Sequence, residues 1–183
     1  IKPTWEEYKK EKDSDILIEI DPGIAFGTGS HETTKLCIQA LDKYVKTGDS
    51  VLDVGCGSGI LSIAALKLGA KHATAIDIDE VAVKVAAENM AVNHIPSSDY
   101  TLYDGDLISN AFLKVKAGTG HDIVVANILA DVIIPLTGVV KPHLKKGGLY
   151  ITSGIIDTKE AEVREALLEN GFEILDVTYM KEW

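Results

Sequence analysis

The sequence lacks the features that mark secreted and membrane proteins. It has only two cysteines in 183 residues, too few for a disulfide framework, and this cysteine usage favours a reducing, cytoplasmic compartment. No apolar run approaches the roughly 20 residues that a membrane helix needs, and the opening IKPTWEEYKK has no apolar centre of a signal peptide. We therefore expect a cytoplasmic protein without a membrane span.

Positive charge is also scarce. The chain has 18 basic against 28 acidic side chains, a formal net charge of −10. Its densest basic stretches are the lysine pairs at 9–10 and 145–146, which do not amount to a basic face that could bind a nucleic-acid backbone. Direct nucleic-acid binding is not expected, and a basic protein or a small molecule fits this charge better.

What the sequence does contain is an alternation of strand and helix patterns. Short apolar, β-branched runs predict strands at 16–20, 50–54, 72–77, 100–104, 122–127, 149–154 and 172–180. Helical spacing predicts helices at 32–44, 60–70, 80–93, 128–144 and 157–171. Such repetition builds a parallel sheet through right-handed crossovers. The predicted fold class is α/β, a doubly wound, mostly parallel sheet in a single domain.

Several local signals refine these elements. Ser30, Asp79 and Asp157 are candidate helix caps, and Pro135 predicts a kink or a late start in the fourth helix. Gly69 and the pair Asn170-Gly171 predict helix ends. Residues 109–120 are expected to form the softest link of the chain.

The stretch DVGCGSGIL, 53–61, follows the first strand of the predicted sheet core. Ligands of open α/β sheets bind beyond the carboxyl ends of the strands, and Gly55, Gly57 and Gly59 remove side chains where a ligand would touch backbone. The spacing differs from the dinucleotide fingerprint G-x-G-x-x-G, and Asp53 precedes the first glycine by two residues. A carboxylate there would repel a pyrophosphate but attract a ligand with positive charge.

Two further acids follow the next two strands. Asp77 lies 22 positions after Gly55, where an acid in this fold accepts hydrogen bonds from ribose hydroxyls; the alternative, a helix cap, suits Asp79 better. Asp106 either accepts from the exocyclic amine of adenine or faces solvent in its turn. A glycine-rich turn with a ribose acid and an adenine-side acid, but no phosphate motif, predicts an S-adenosylmethionine site.

The glycine-rich stretch DPGIAFGTGSHETT, 21–34, excludes two other sites by its chemistry. A phosphate loop needs a lysine after its glycines, and none follows here. A zinc helix needs a second histidine four residues after His31, where Lys35 stands. The five histidines share no spacing, Cys56 is a small residue between glycines, and Cys37 is expected in the core, so no metal site is predicted.

Asn127 ends the strand at 122–127 and is the candidate catalytic residue. A side-chain amide oxygen can accept a hydrogen bond from a target amine and align its lone pair with a methyl group. The alternative is that Asn127 only terminates the strand.

Four stretches, 21–34, 53–70, 76–79 and 124–130, resemble the ribosomal protein methyltransferases that modify amino groups of protein eleven of the large subunit, a class I methyltransferase family. The resemblance extends from Pro3 to Trp183. It implies methyl transfer from S-adenosylmethionine to lysine or N-terminal amino groups of that ribosomal protein. It places cofactor contacts at Thr34, Gly55, Asp77 and Asn127, and a cofactor-covering loop that includes Phe26 and Thr28.

The chain also departs from related patterns. Many methyltransferases of amide or amine nitrogens have Asn-Pro-Pro-Tyr where this chain has Asn127-Ile-Leu-Ala, which counts against a glutamine-amide methyltransferase; a non-catalytic nucleotide-binding module is the other alternative. We expect residues 1–30 to form an N-terminal segment with the covering loop and 31–183 the catalytic domain. The family's N-terminal recruiting domain and its final antiparallel strand are expected to be missing.

Overall fold

A five-stranded, all-parallel sheet forms the centre of the computed structural model, which describes residues 1–7, 12, 15–21 and 29–183. The described strands are β1 (Lys2–Pro3), β2 (Glu19–Ile20), β3 (Ser50–Val54), β4 (His72–Asp77), β5 (Tyr100–Asp104), β6 (His121–Asn127) and β7 (Leu144–Ser153). The described α-helices are α1 (Glu32–Tyr44), α2 (Ile60–Lys67), α3 (Glu80–Val92), α4 (Ala111–Ala117), α5 (Ala130–Val140) and α6 (Glu160–Glu169). Short β1 and β2 pair in parallel with each other, apart from the main sheet.

The main sheet has the strand order β5-β4-β3-β6-β7, so the order reverses between β3 and β6. Strand β3 is buried from Val51 to Val54, and its side chains alternate between two apolar cores. One core contains Val51 with residues of α1, α2 and α3, and the other contains Leu52 with residues of α4, α5 and α6. Helices therefore cover both faces, and the predicted doubly wound α/β class is confirmed.

Most predicted element ends lie within a few residues of the observed ones. Asp79 caps α3, because its side chain accepts a hydrogen bond from Val81 N at 2.8 Å. Helix α5 starts at Ala130 and contains Pro135 in its interior, so the late start predicted at Pro135 is wrong, and the kink stays a prediction. Gly171 has φ +73° directly after α6, as a left-handed helix end requires.

Two predicted caps are wrong. The cap of α1 is His31, whose Nδ1 accepts from Thr33 N, and not Ser30. Asp157 begins a 3-10 turn that precedes α6, and α6 has no side-chain cap. Helix α1 nevertheless begins at the predicted Glu32, whereas α6 begins only at Glu160.

The soft link predicted at 109–120 is wrong as well, because these residues contain α4. Asn110 caps the helix by accepting from Phe112 N and Leu113 N, both at 3.0 Å. Leu113 and Ala117 are buried on one face, but a single apolar pair four residues apart is only a weak helix signal.

The strand predicted at 172–180 does not form, and the one at 16–20 is reduced to Glu19–Ile20. Leu175, Val177 and Tyr179 are 64%, 38% and 56% exposed. Their alternation suits a strand, but a strand also needs a backbone partner. Within the described chain nothing pairs with the outer edge of β7, where a groove of about 670 Å³ lies between α1, α6 and residues 171–179.

No helix in the described part of the chain is long and apolar enough to cross a membrane.

Candidate active site

The candidate site is built from the carboxyl ends of neighbouring parallel strands. Gly55 N donates to Ile76 O at 2.8 Å, which joins the turn after β3 to the end of β4. Gly105 N donates to Asp77 O at 2.8 Å, which joins the turn after β5 to the same strand. The predicted glycines, Asp77 and the Gly105-Asp106 turn therefore share one edge of the sheet, beside the point where strand order reverses.

The glycine-rich turn depends on its glycines. Gly55, Gly57 and Gly59 have φ of +77°, +53° and +78°, a region that residues with a side chain rarely adopt. A Cβ on Gly55 would lie 2.3 Å from Ile128 Cγ2, and one on Gly59 would lie 3.0 Å from Ala86 Cβ. The turn is therefore packed closely against both the β6–α5 connection and α3.

Asp77 is tied to this turn. Its Oδ2 accepts from Gly57 N at 2.8 Å and its Oδ1 from Asp79 N at 3.0 Å. Since Asp79 itself caps α3, Asp77 is not needed as the cap. Each carboxylate oxygen can accept more than one hydrogen bond, so Asp77 retains capacity for ligand hydroxyls.

Asp53 lies fully buried beneath the same turn. Its Oδ2 accepts from Ser62 N at 3.1 Å and from Ser62 Oγ at 2.7 Å, whereas its Oδ1 is buried without a hydrogen-bond partner in the described structure. Burial raises the pKa of Asp53 from its ordinary 3.8 to about 7, and the nearby Asp77 carboxylate adds to this. A buried carboxylate with an unpaired oxygen is costly, and a nearby positive charge would offset that cost.

Asn127 stands at the end of β6 with its side-chain amide oriented by α1. Its Nδ2 donates to Thr34 Oγ1 at 3.3 Å, and Thr34 is fully buried. The Oδ1 of Asn127 is buried and has no hydrogen-bond partner in the described part of the chain. The amide thus has its donor engaged and its acceptor unused.

The backbone around Asn127 is fixed from β7. Asn127 is the register partner of Ser153, and Ile128 N donates to Ser153 O at 3.2 Å. Ser153 Oγ also donates to Thr33 O at 3.2 Å, which anchors the first turn of α1. Strands β6 and β7 and helix α1 therefore meet at the predicted catalytic residue.

Asp106 is occupied by its own turn. Its Oδ1 accepts from Ile108 N at 2.8 Å and its Oδ2 from Ser109 Oγ at 2.6 Å. The Ser109 hydrogen bond lowers the pKa of Asp106, and the Ile108 and Ser109 backbone amides act in the same direction. These contacts give Asp106 a structural role in the turn, and its contact with adenine stays a prediction.

The sequence also predicted two contacts in the covering loop and no metal site. Phe26 and Thr28 lie outside the described residues. The groove along β7 contains none of the described residues that were predicted to bind the cofactor. In the described part of the chain, no three His, Cys, Asp or Glu side chains are grouped so that they could hold a metal ion.

Two polar residues that the sequence motifs did not indicate also contribute to this edge of the sheet. Ser62 supplies both donors to Asp53, and Asn89 of α3 donates to Ser58 O within the glycine-rich turn. Ser62 has no distinguishing sequence signal. Asn89 has one, because an asparagine is a poor helix former in the middle of an alanine-rich helix.

Known proteins similar to this chain extend over its whole length. The chain is 54% identical over 187 aligned residues to the ribosomal protein L11 methyltransferase of Agathobacter rectalis, covering 100% of this chain and 58% of that protein. It is 49% identical to the protein of the same name from Bacillus pumilus, covering 57% of it. The chain thus spans less than two thirds of the length of these relatives.

A solved structure gives the same result. The ribosomal protein L11 methylase from Lactobacillus delbrueckii subsp. bulgaricus superposes with a TM-score of 0.89 at 36% identity, over 99% of this chain and 89% of that one. The family model described as ribosomal protein L11 methyltransferase (PrmA) matches residues 1–183. The chain therefore belongs to the ribosomal protein L11 methyltransferase family.

Proposed function

We propose that this chain transfers methyl groups from S-adenosylmethionine to lysine or N-terminal amino groups of a ribosomal protein of the large subunit. The observation that carries the proposal is the amide of Asn127, whose oxygen is buried and unpaired at the end of β6 while its nitrogen is engaged by Thr34. The names of the relatives supply the ribosomal substrate.

The residues present fit the cofactor. S-adenosylmethionine would supply an electrophilic methyl group on a positively charged sulfur; its carbon–sulfur bond would break as the amine nitrogen bonds to the methyl carbon, with S-adenosylhomocysteine as the leaving group. The turn at 53–62 has no Lys or Arg, and the unpaired Oδ1 of Asp53 favours a cationic ligand nearby. Asp77 would accept from ribose hydroxyls. The proposed cofactor contacts are Phe26, Thr28, Thr34, Asp53, Gly55, Gly57, Gly59, Asp77, Asp106 and Asn127.

Asn127 would bind the amine rather than deprotonate it. A lysine amine has a pKa of about 10.4 in water and is mostly protonated at neutral pH, so it must lose a proton before its nitrogen can form a bond to the methyl carbon. An amide is not a base, but its oxygen can accept a hydrogen bond from the amine N–H and orient the nitrogen lone pair. Desolvation of the amine lowers its pKa, and water takes the proton.

Calorimetry tests the cofactor assignment. We expect the chain to bind S-adenosylmethionine and S-adenosylhomocysteine and to show no detectable binding of a nicotinamide dinucleotide, because the acids at the turn repel a diphosphate. Transfer of a radiolabelled methyl group to a ribosomal protein extract then separates an enzyme from a nucleotide-binding module. Binding of the dinucleotide in place of the sulfur nucleosides would contradict the proposal.

Replacing Asp53 by asparagine tests the role of the buried charge. Because the folded-state pKa of Asp53 is raised, the contribution of this group to stability is fully present below pH 3.8 and is lost as the pH rises towards about 7. Without cofactor, we expect Asp53→Asn to raise the Tm at pH 8 by about 4 °C, the shift that about 1–2 kcal/mol produces in a domain of this size. This increase in Tm over the wild type should become smaller as the pH falls to 4.

The same Asp53→Asn variant should bind S-adenosylmethionine more weakly, since it loses the negative charge that a cation favours. Asp79→Asn is the matched control, because it removes one charge at an exposed position and should leave the affinity nearly unchanged. Equal or tighter binding by Asp53→Asn would show that the carboxylate does not favour the cofactor.

A further inference from the structure

Helix α3 carries two buried asparagines four residues apart. Asn89 is 1% and Asn93 is 5% exposed, and residues at this spacing lie on the same face of a helix. A buried amide destabilises the fold unless its donors and its acceptor are hydrogen-bonded. Both side chains must therefore have specific partners.

Both amides bond to the backbone of the segment that contains β2. Asn93 Oδ1 accepts from Glu19 N at 3.0 Å, and its Nδ2 donates to Glu19 O at 2.6 Å. Asn89 Oδ1 accepts from Asp21 N at 2.9 Å, and its Nδ2 donates to Asp21 O at 3.0 Å. Four residues along a helix and two along a strand both span about 6–7 Å, so the two amides match alternate residues of the segment as a neighbouring strand would.

The two asparagines differ in one contact. Asn89 Nδ2 also donates to Ser58 O at 2.9 Å, whereas the second acceptor of Asn93 Nδ2 is Asn89 O, within its own helix. Asn89 therefore joins the glycine-rich turn to the segment at Asp21, and Asn93 holds the segment alone.

The contact with Ser58 fixes a particular peptide group. The peptide between Ser58 and Gly59 has its carbonyl held by Asn89 and its N–H donating to Cys56 O at 2.8 Å. Ser58 is fully buried, so removal of Asn89 would take away the side-chain donor of this carbonyl, and loss of a hydrogen bond at a buried carbonyl is unfavourable. The turn would then relax towards another backbone conformation.

We propose that Asn89 is a positioning residue of the cofactor site, acting through the carbonyl of Ser58 to hold the glycine-rich turn in its binding conformation. This inference rests on the proposed function, because it assumes that the turn contacts the cofactor. It assigns Asn93 a different role, in stability alone. The two residues therefore form a matched pair for a test.

The test compares Asn89→Ala with Asn93→Ala by calorimetry with S-adenosylhomocysteine and by thermal unfolding without ligand. Both variants should lower the Tm to a similar extent, since each removes two hydrogen bonds to the segment. Only Asn89→Ala should weaken the binding of S-adenosylhomocysteine, by about tenfold. The variants Asn89→Asp and Asn93→Asp keep the side-chain oxygen that accepts and remove the side-chain nitrogen that donates. They allow the same comparison if an alanine variant does not fold.

The outcomes separate this inference from the proposed function. If the wild type binds S-adenosylhomocysteine and the Asn89 and Asn93 variants lose affinity equally, or lose none, the positioning role alone is overturned. Failure of the wild type to bind S-adenosylhomocysteine would overturn the proposed function and this inference with it.

Discussion

Replacing Asn127 by alanine is expected to lower the turnover of methyl transfer by about 100-fold, the size of effect that misplacement of a reacting group by about 1 Å produces. The variant removes the unpaired amide oxygen and the hydrogen bond to Thr34. Turnover is measured with radiolabelled S-adenosylmethionine and a ribosomal protein as acceptor, at saturating concentrations of both.

Ser153→Ala is the control for Asn127→Ala. Ser153 is the register partner of Asn127 on β7, and its hydroxyl donates to Thr33 O and also contacts the Cys37 thiol. We expect its turnover to stay within about fivefold of wild type, since the loss of a neutral hydrogen bond changes the energy by about 1 kcal/mol. Full activity of Asn127→Ala would remove Asn127 from the catalytic role.

Replacing Gly154 by alanine is expected to lower the free energy of unfolding by about 3 kcal/mol, from a left-handed backbone penalty of about 1–2 kcal/mol and overpacking of about 1–3 kcal/mol. Gly154 has φ +82°, and a Cβ there would lie 2.4 Å from Ile128 O and 2.8 Å from Ile128 C. Because these are backbone atoms, no side-chain rotation relieves the contact. The main chain beside Asn127 must move, so activity should fall as well.

Gly147→Ala separates backbone strain from steric contact. Gly147 has φ +76°, and nothing lies within 4 Å of the position that its Cβ would occupy. In urea unfolding, Gly147→Ala should therefore show only the backbone penalty of about 1–2 kcal/mol. If Gly154→Ala and Gly147→Ala lower the free energy of unfolding equally, the contact with Ile128 is relieved without an energetic cost.

The central strands were predictable because they are buried on both faces and read as continuous apolar runs. Strands β3 and β4 have the bounds that their sequences indicated, and so does the partly buried edge strand β5. Residues 172–180 show where such patterns fail, because alternation describes a strand's own faces and says nothing of whether a partner strand is available. Helix α4 was missed since it is only seven residues long, too short for a clear periodic signal.

The site residues were predictable where a glycine or a polar side chain lies at the carboxyl end of a predicted strand. Gly55, Asp77 and Asn127 were found in this way, and they share one edge of the sheet. Their involvement in cofactor binding stays a prediction. The contacts of Asp53 with Ser62 and of Asn89 with Ser58 were not predictable, because each depends on how a helix packs against a turn.

The parallel pairing of β3 with β6 has a consequence for how the molecule folds. Asp53 is paired with Val125, and no local hairpin can bring such distant residues together. The long intervening chain must be closed into a loop, and the entropy cost of this closure slows the pairing. We therefore expect Asn127 and the glycine-rich turn to come together late in folding, so that a ligand that needs both stabilises only the nearly native chain.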